Sequence, residues 1–240
     1  MTVDVLAIGA HPDDVELGCG ATVALLARSG RRVGILHLTH GEMGTRGTVE
    51  QRRREAERAA EILGAVELAF LDCGDGALRH GPAEEEALIA ELRRLRPELV
   101  LGPTPADRHP DHGRAHRLVA DACFYAGLAR RGSAAPHRPA ALFGYMQHEG
   151  FLPAFVVDVT TTWAVKAAAL DAYASQVAAA GGVEAPGPRT KVASREFRLA
   201  VEGRARHYGN LIGAELGEPF WSGGPLAVAD PWGLLPRGLR

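Results

Sequence analysis

The sequence is poor in the features that mark a secreted, membrane or nucleic-acid-binding chain. It has only three cysteines, Cys19, Cys73 and Cys123, an odd number with no C-x-x-C spacing. A disulfide framework is therefore not expected, and a reducing compartment is. No apolar run reaches the ~18 residues that a membrane helix needs. The N-terminal stretch MTVDVLAIGA lacks the basic region of a signal peptide. Charge of one sign is also missing: 27 Lys and Arg face 29 Asp and Glu, a net −2. No bulk field draws the chain to nucleic acid or anionic lipid. The 29 glycines and 15 prolines fall short of the roughly 25–30% of residues typical of low-complexity chains. The expectation is a soluble cytoplasmic globular protein with no nucleic-acid or membrane partner.

The 240 residues are 46% hydrophobic and alternate between short apolar runs and amphipathic stretches. Val3–Gly9 is almost wholly apolar, as a strand buried on both faces is, and Val33–Thr39, Val66–Leu71 and Glu98–Gly102 read as three further strands. Helical patterns over 16–29, 49–63, 83–95 and 112–129 follow them, with Gly30 and Gly64 as stop signals and Arg96-Pro97 as a break. Two more strands are expected at Ala140–Gln147 and Ala154–Val159, then helices over about 161–180 and 192–214. Strand–helix repetition predicts a Rossmann-like α/β fold, a mostly parallel sheet with helices on both faces. Its site should lie beyond the carboxyl ends of the strands. No linker divides the chain, so 1–240 reads as one domain. The stretch 181–190 (GGVEAPGPRT) reads as a mobile loop within it, and WSGGPLAVADPWGLLPRGLR (221–240) as a tail without regular structure.

After the first strand, where a dinucleotide-binding fold places G-x-G-x-x-G, the chain has Gly9-Ala10-His11-Pro12-Asp13-Asp14. An imidazole and a carboxylate replace the second and third glycines, and two aspartates would repel a phosphate. A nucleotide-binding oxidoreductase is thus disfavoured. His11 and Asp14 suit a metal, and Asp13 beside them is free to face a water. Read alone, the motif fits a helix cap equally well.

A second cluster, His109-Pro110-Asp111-His112, follows the fourth strand. Two such clusters at one sheet edge shift the balance to a shared site with His11, Asp14 and His112 as ligands. Three protein ligands leave a position open for water, the pattern of a catalytic zinc. Fe2+, Mn2+ or Co2+ would also suit this donor set. Asp13 is the candidate general base, and His109, protonated, the stabiliser of an oxyanion. Asp111 is placed to orient a histidine from behind the ligands. His116, one turn after His112, is an alternative ligand, and His40 could face the cleft.

AHPDDVELGCG and DRHPDHGRAH resemble the PIG-L/LmbE-like zinc deacetylases. HGEMGTRGTVEQRRREAERAAEILG (40–64), CGDGAL (73–78), LRPELVLGP (95–103), ALDAYASQ (169–176) and ARHYGNLIGAELGEPF (205–220) are similar to the bacillithiol-biosynthesis branch, so the resemblance spans almost the whole chain. It implies a PIG-L/LmbE-like deacetylase domain over 1–240 that hydrolyses the N-acetyl group of an N-acetylglucosaminyl conjugate such as GlcNAc-malate. It implies zinc on His11, Asp14 and His112, with Asp13 as base and His109 as stabiliser. Arg52 and Asp75 match the family's sugar-binding positions, and Glu42 and Arg46 lie in a loop that could line the cleft. Relatives are commonly oligomeric, which implies a homo-oligomer, a hexamer being one candidate. The Ala- and Gly-rich stretch after Gln176 departs from the branch pattern and leaves the aglycone open. Two other readings remain: an amidase acting on a thiol–sugar conjugate, and a non-catalytic sugar-binding module that would have no need of Asp13.

Overall fold

The computed structural model describes residues 1–179 and 187–234. Residues 181–186 of the expected loop, and 235–240 of the tail, lie outside the described residues. The elements run β1 (Val5–Gly9), α1 (Asp14–Arg28), β2 (Val33–His37), α2 (Val49–Leu63), β3 (Glu67–Phe70), α3 (Pro82–Leu95) and β4 (Leu99–Gly102). They continue as α4 (Pro110–Tyr125), β5 (Ala141–Tyr145), β6 (Phe155–Asp158), α5 (Trp163–Ala172), α6 (Arg195–Leu211) and β7 (Gly217–Ser222).

The seven strands form one sheet in the order β3-β2-β1-β4-β5-β7-β6. Strands β1 to β5 are parallel, and β7 alone runs against both neighbours. Alternate side chains of each strand feed two cores. Val5 and Ala7 of β1 and Val33 and Ile35 of β2 pack with α1, α2, α5 and α6. Leu6, Ile8 and Leu36 face α3 and α4. Helices therefore cover both faces, as the alternating pattern predicts. The chain leaves β1 toward β2 on one side and β4 lies on the other, so the β1 and β4 carboxyl ends flank the point where strand order reverses. That crevice is where open α/β sheets bind ligands.

Local chemistry sets the helix ends. Thr48 caps α2 by accepting from the Gln51 N–H, and Gly64 closes it at φ 78°, a conformation that favours glycine. Pro110 occupies the first turn of α4, where its missing N–H costs nothing. Two expectations need correction. The helix expected over 161–180 stops at Ala172, and residues 174–176 are turns. The segment beginning at Trp221 is not wholly irregular: Trp221 and Ser222 belong to β7, and Pro231–Leu234 form a 3-10 turn. The strand β7 itself, beginning at Gly217, is not among the expected elements. Pro219 is tolerated because the β5 ladder reaches only Phe220, so at Pro219 the strand is paired with β6 alone.

Candidate active site

The loop after β1 turns sharply at its first residues. A Cβ on Gly9 would come within 3.0 Å of both the His11 carbonyl and the Asp14 Cβ, so this one glycine of the fingerprint position is required. Asp13 has φ 104°, a left-handed conformation that is strained for a non-glycine residue. Its side chain makes no cap bond to α1. The His11 backbone N–H instead donates to Asp14 Oδ2 at 2.9 Å. The helix-cap alternative for Asp13 is therefore not what the loop does.

The two distant clusters meet across the β1–β4 crevice. Ring nitrogens of His11, His109 and His112 all lie within 4.8 Å of one another. Asp14 spans two of them: Oδ2 is 3.5 Å from His11 Nδ1, and Oδ1 is 3.3 Å from His112 Nε2. The opposite nitrogens are occupied. His11 Nε2 faces Asp75 at 3.0 Å and Asp111 at 3.3 Å. His112 Nδ1 faces Asp107 at 2.9 Å. Asp111 is fully buried and also accepts from the Gly76 and Leu78 N–H groups. Carboxylates behind both imidazoles leave His11 Nδ1 and His112 Nε2 turned toward the Asp14 carboxylate. This donor set, two imidazoles and a carboxylate backed by further carboxylates, fits a divalent ion.

The electrostatics agree with that fit. Burial works to lower the His112 imidazole, but Asp14 and Asp107 outweigh it and hold it at about 9. Burial likewise opposes His11, and Asp111, Asp14 and Asp75 raise it well above its ordinary value. Burial would raise Asp14, but the two histidines hold it well below the usual carboxylate range. Asp13 differs: burial pushes it up to about 7, with Arg52 working against the rise. His109 caps α4 by accepting the Asp111 N–H at Nδ1, 3.2 Å. Its proton therefore sits on Nε2 in the neutral ring. Burial lowers its pKa further. In this tautomer His109 can donate a hydrogen bond from Nε2 in the neutral form as well as in the protonated form expected from the sequence.

A cleft of about 360 Å³ opens over these groups. Arg52 and Asp75 line it, as do Met43, Arg108, Gln176 and Lys191. Arg52 is only 4% exposed, and its Nη1 and Nη2 donate to the carbonyls of Gly41 (3.0 Å) and Pro12 (2.7 Å). Its guanidinium is thus committed first to holding the β1 loop, with Asp13 Oδ2 at 3.8 Å. Asp75 accepts from the Met43 N–H while facing His11. Glu42 and Arg46 do not line this cleft. Glu42 accepts from the His40 and Asp75 N–H groups, and Arg46 donates to the carbonyls of Ser175 and Pro188. His116 lies against the Pro103 carbonyl and Trp221, away from the centre, and His40 stacks on Phe70.

Three residues escaped the sequence reading. Asp107 backs His112, Gln147 donates to Asp14 Oδ1 at 2.5 Å, and the His148 ring stacks on that of His112. Asp107 was visible as the first carboxylate of DRHPDH. Gln147 and His148 follow β5, whose carboxyl end lies beside that of β4, so topology could have found them.

The comparisons with known proteins converge on one family. A family model described as PIG-L, GlcNAc-PI de-N-acetylase, matches residues 6–123. Diacetylchitobiose deacetylase of Thermococcus kodakarensis is 35% identical over 188 residues, covering 72% of this chain and 69% of that protein. 4-Oxalmesaconate hydratase of Pseudomonas putida is 30% identical over 190 residues, 71% of this chain and 73% of that protein. Among solved structures, a conserved protein of Thermus thermophilus, TT1542, superposes with a TM-score of 0.87 at 38% identity, over 96% of this chain and 99% of that one.

Proposed function

The chain belongs to the PIG-L family, and from that premise we propose that it is a metal-dependent hydrolase removing the N-acetyl group of an N-acetylglucosaminyl conjugate. The observation that carries this reading is the meeting of His11, Asp14 and His112 beside Asp13. His11, Asp14 and His112 would hold the divalent ion, zinc being the first choice for this donor set. Bound there, the ion would supply Lewis acidity toward the acetamide oxygen and acidify a water molecule.

The protein's own groups do the rest. Asp13, poised at about 7, accepts a proton from the attacking water. Water oxygen bonds to the carbonyl carbon, and the Nε2–H of His109 donates to the developing oxyanion. Asp13 returns its proton to the sugar nitrogen as the C–N bond breaks, leaving acetate and a free amine. Asp75 is placed to accept from a sugar hydroxyl. Arg52 contributes mainly by holding the loop that carries Asp13, and to substrate only through what its nitrogens can share. Arg108 and Lys191 line the cleft and have no ion-pair partner among the described residues. They suit an anionic aglycone, and so a GlcNAc-malate-like substrate of the bacillithiol-type branch.

The hydratase relative favours a second reading, because the same crevice could add water to an unsaturated dicarboxylate. The test loads the purified protein with zinc, Co2+ or Fe2+ and offers GlcNAc-malate, a neutral GlcNAc conjugate, a cysteine amide of a thiol–sugar conjugate, and an enol dicarboxylate. Acetate release from the first supports the proposal. Release of cysteine alone supports the amidase reading, and loss of enol absorbance alone supports the hydratase. Bound sugar without turnover, in protein that holds no metal, supports a sugar-binding module.

A further inference from the structure

Helix α1 is broken in its interior, between Gly18 and Gly20. Cys19 has φ −141° and ψ 21°, and the break undoes the bond that would join the Leu17 carbonyl to the Ala21 N–H. Each orphaned group is met by a buried charge. The Leu17 carbonyl accepts from Lys166 Nζ at 2.9 Å and from Arg204 Nη2 at 3.2 Å. The Ala21 and Thr22 N–H groups donate to Glu218 at 3.2 and 2.7 Å. Glu218 pairs with Lys166 at 2.6 Å, so the two charges that plug the break neutralise each other. The first turn of α1, which carries Asp14, is therefore held across the break by groups from outside the helix.

Arg204 does more than fill the break. Its Nη1 donates to the backbone carbonyl of Gln147. One guanidinium on α6 thus ties together the first turn of α1 and the segment after β5. Those two segments meet again at Asp14, where Gln147 Nε2 donates to Oδ1 at 2.5 Å. A carboxylate can accept only from the NH2 end of the amide, which fixes the orientation of Gln147. Asp14 Oδ2 is already held by the His11 N–H. With both oxygens engaged from different segments, the carboxylate cannot rotate, and Oδ1 stays beside His112 Nε2.

We propose that Gln147 is a positioning residue for the metal centre: its carboxamide fixes the Asp14 carboxylate between the two histidines, and Arg204 holds Gln147 at the reach this requires. The inference rests on the metal-dependent reading above and adds a residue outside both histidine motifs. An apolar side chain of similar length would fill the space but leave Oδ1 free to turn. Loss of such outer partners typically weakens metal affinity 10–100-fold.

The test uses the full chain as two variants, Gln147→Leu, which removes the donor, and Gln147→Asn, which keeps the amide but shortens its reach. Zinc affinity is measured by competition with a chromophoric chelator, Co2+ coordination by visible absorption, and folding by thermal melting of the metal-free protein. The expected result is a 10–100-fold loss of zinc affinity in both variants, with altered Co2+ bands and retained cooperative melting. A merely structural role would lower the melting temperature and leave affinity and Co2+ bands unchanged in whichever variant folds, and that result overturns the proposal. A parent protein with no tight divalent site overturns the metal reading itself, and this inference with it.

Discussion

Asp107 Oδ1 lies 2.9 Å from Nδ1 of His112, a histidine five residues further along the chain, while its Oδ2 accepts the His148 N–H at 3.0 Å. One carboxylate thus sets the orientation of a candidate ligand and joins the β4 loop to the β5 loop. Asp107→Ala should weaken zinc binding 10–100-fold. It should also destabilise the fold by about 1–3 kcal/mol, because buried N–H groups lose their acceptor. Chelator competition and urea unfolding measure the two effects separately, and an unchanged affinity would remove Asp107 from the centre.

Asp13 makes no cap bond, is strained at φ 104°, and is pushed up to about 7 by burial. A carboxylate used only to cap a helix would make the cap bond that Asp13 lacks. Asp13→Asn should keep the metal and lose roughly 10²–10⁴ in turnover. Metal content with an acetate-release assay decides the point, and Asp14→Ala is the contrast, since it should lose the metal as well. A fully active Asp13→Asn would end the base assignment.

Arg52 predicts a different kind of loss. Its guanidinium holds the Pro12 and Gly41 carbonyls and opposes the burial of Asp13. Arg52→Ala should cost about 2–4 kcal/mol of stability through the unpaired carbonyls and the cavity. It should also raise the Asp13 pKa, because a compensating positive charge is gone. Asp13 must be ionised to take a proton, so the acidic limb of kcat should move to higher pH. A rise in KM with stability and pH profile unchanged would instead make Arg52 a simple sugar contact.

The sequence made the ligand-bearing turns legible because the chemistry is local: HPDD and HPDH each follow an apolar strand, and parallel topology brings strand ends to one edge. The α2 limits, Val49–Leu63, could be read to the residue because Thr48 and Gly64 are strong local signals. What could not be read depends on contacts distant in sequence. Gln147 meets Asp14 across 133 residues. The β7 strand hides behind Gly217 and Pro219, whose turn-like propensity is overridden by pairing with β6. The break at Cys19 falls between Gly18 and Gly20, which weaken the helix locally, but the groups that satisfy it, Lys166, Glu218 and Arg204, arrive from the second half of the chain and cannot be read from the motif.

Glu16 supplies a pH prediction separable from catalysis. It is fully buried on α1, one oxygen contacts the Tyr173 hydroxyl at 3.1 Å, and the other has no partner among the described residues. Burial pushes its pKa from 4.5 up to about 8. The folded state therefore holds a proton that the unfolded chain releases between those two values. Stability rises with pH only where the unfolded state binds more protons, so here the sign is reversed. The Glu16 contribution is full below about pH 4.5 and is lost as pH rises toward 8. Histidines raised by their carboxylates push in the same direction between about 6.5 and 9, so the parent protein alone cannot isolate Glu16. Comparison with Glu16→Gln does, since the amide keeps the shape and cannot ionise. The variant should melt at nearly the parent temperature at pH 5 and above it at pH 8, with metal-free protein in both cases. Parallel melting curves for parent and variant across that range would mean that Glu16 is ionised in the fold, and that the burial inferred for it is relieved by water.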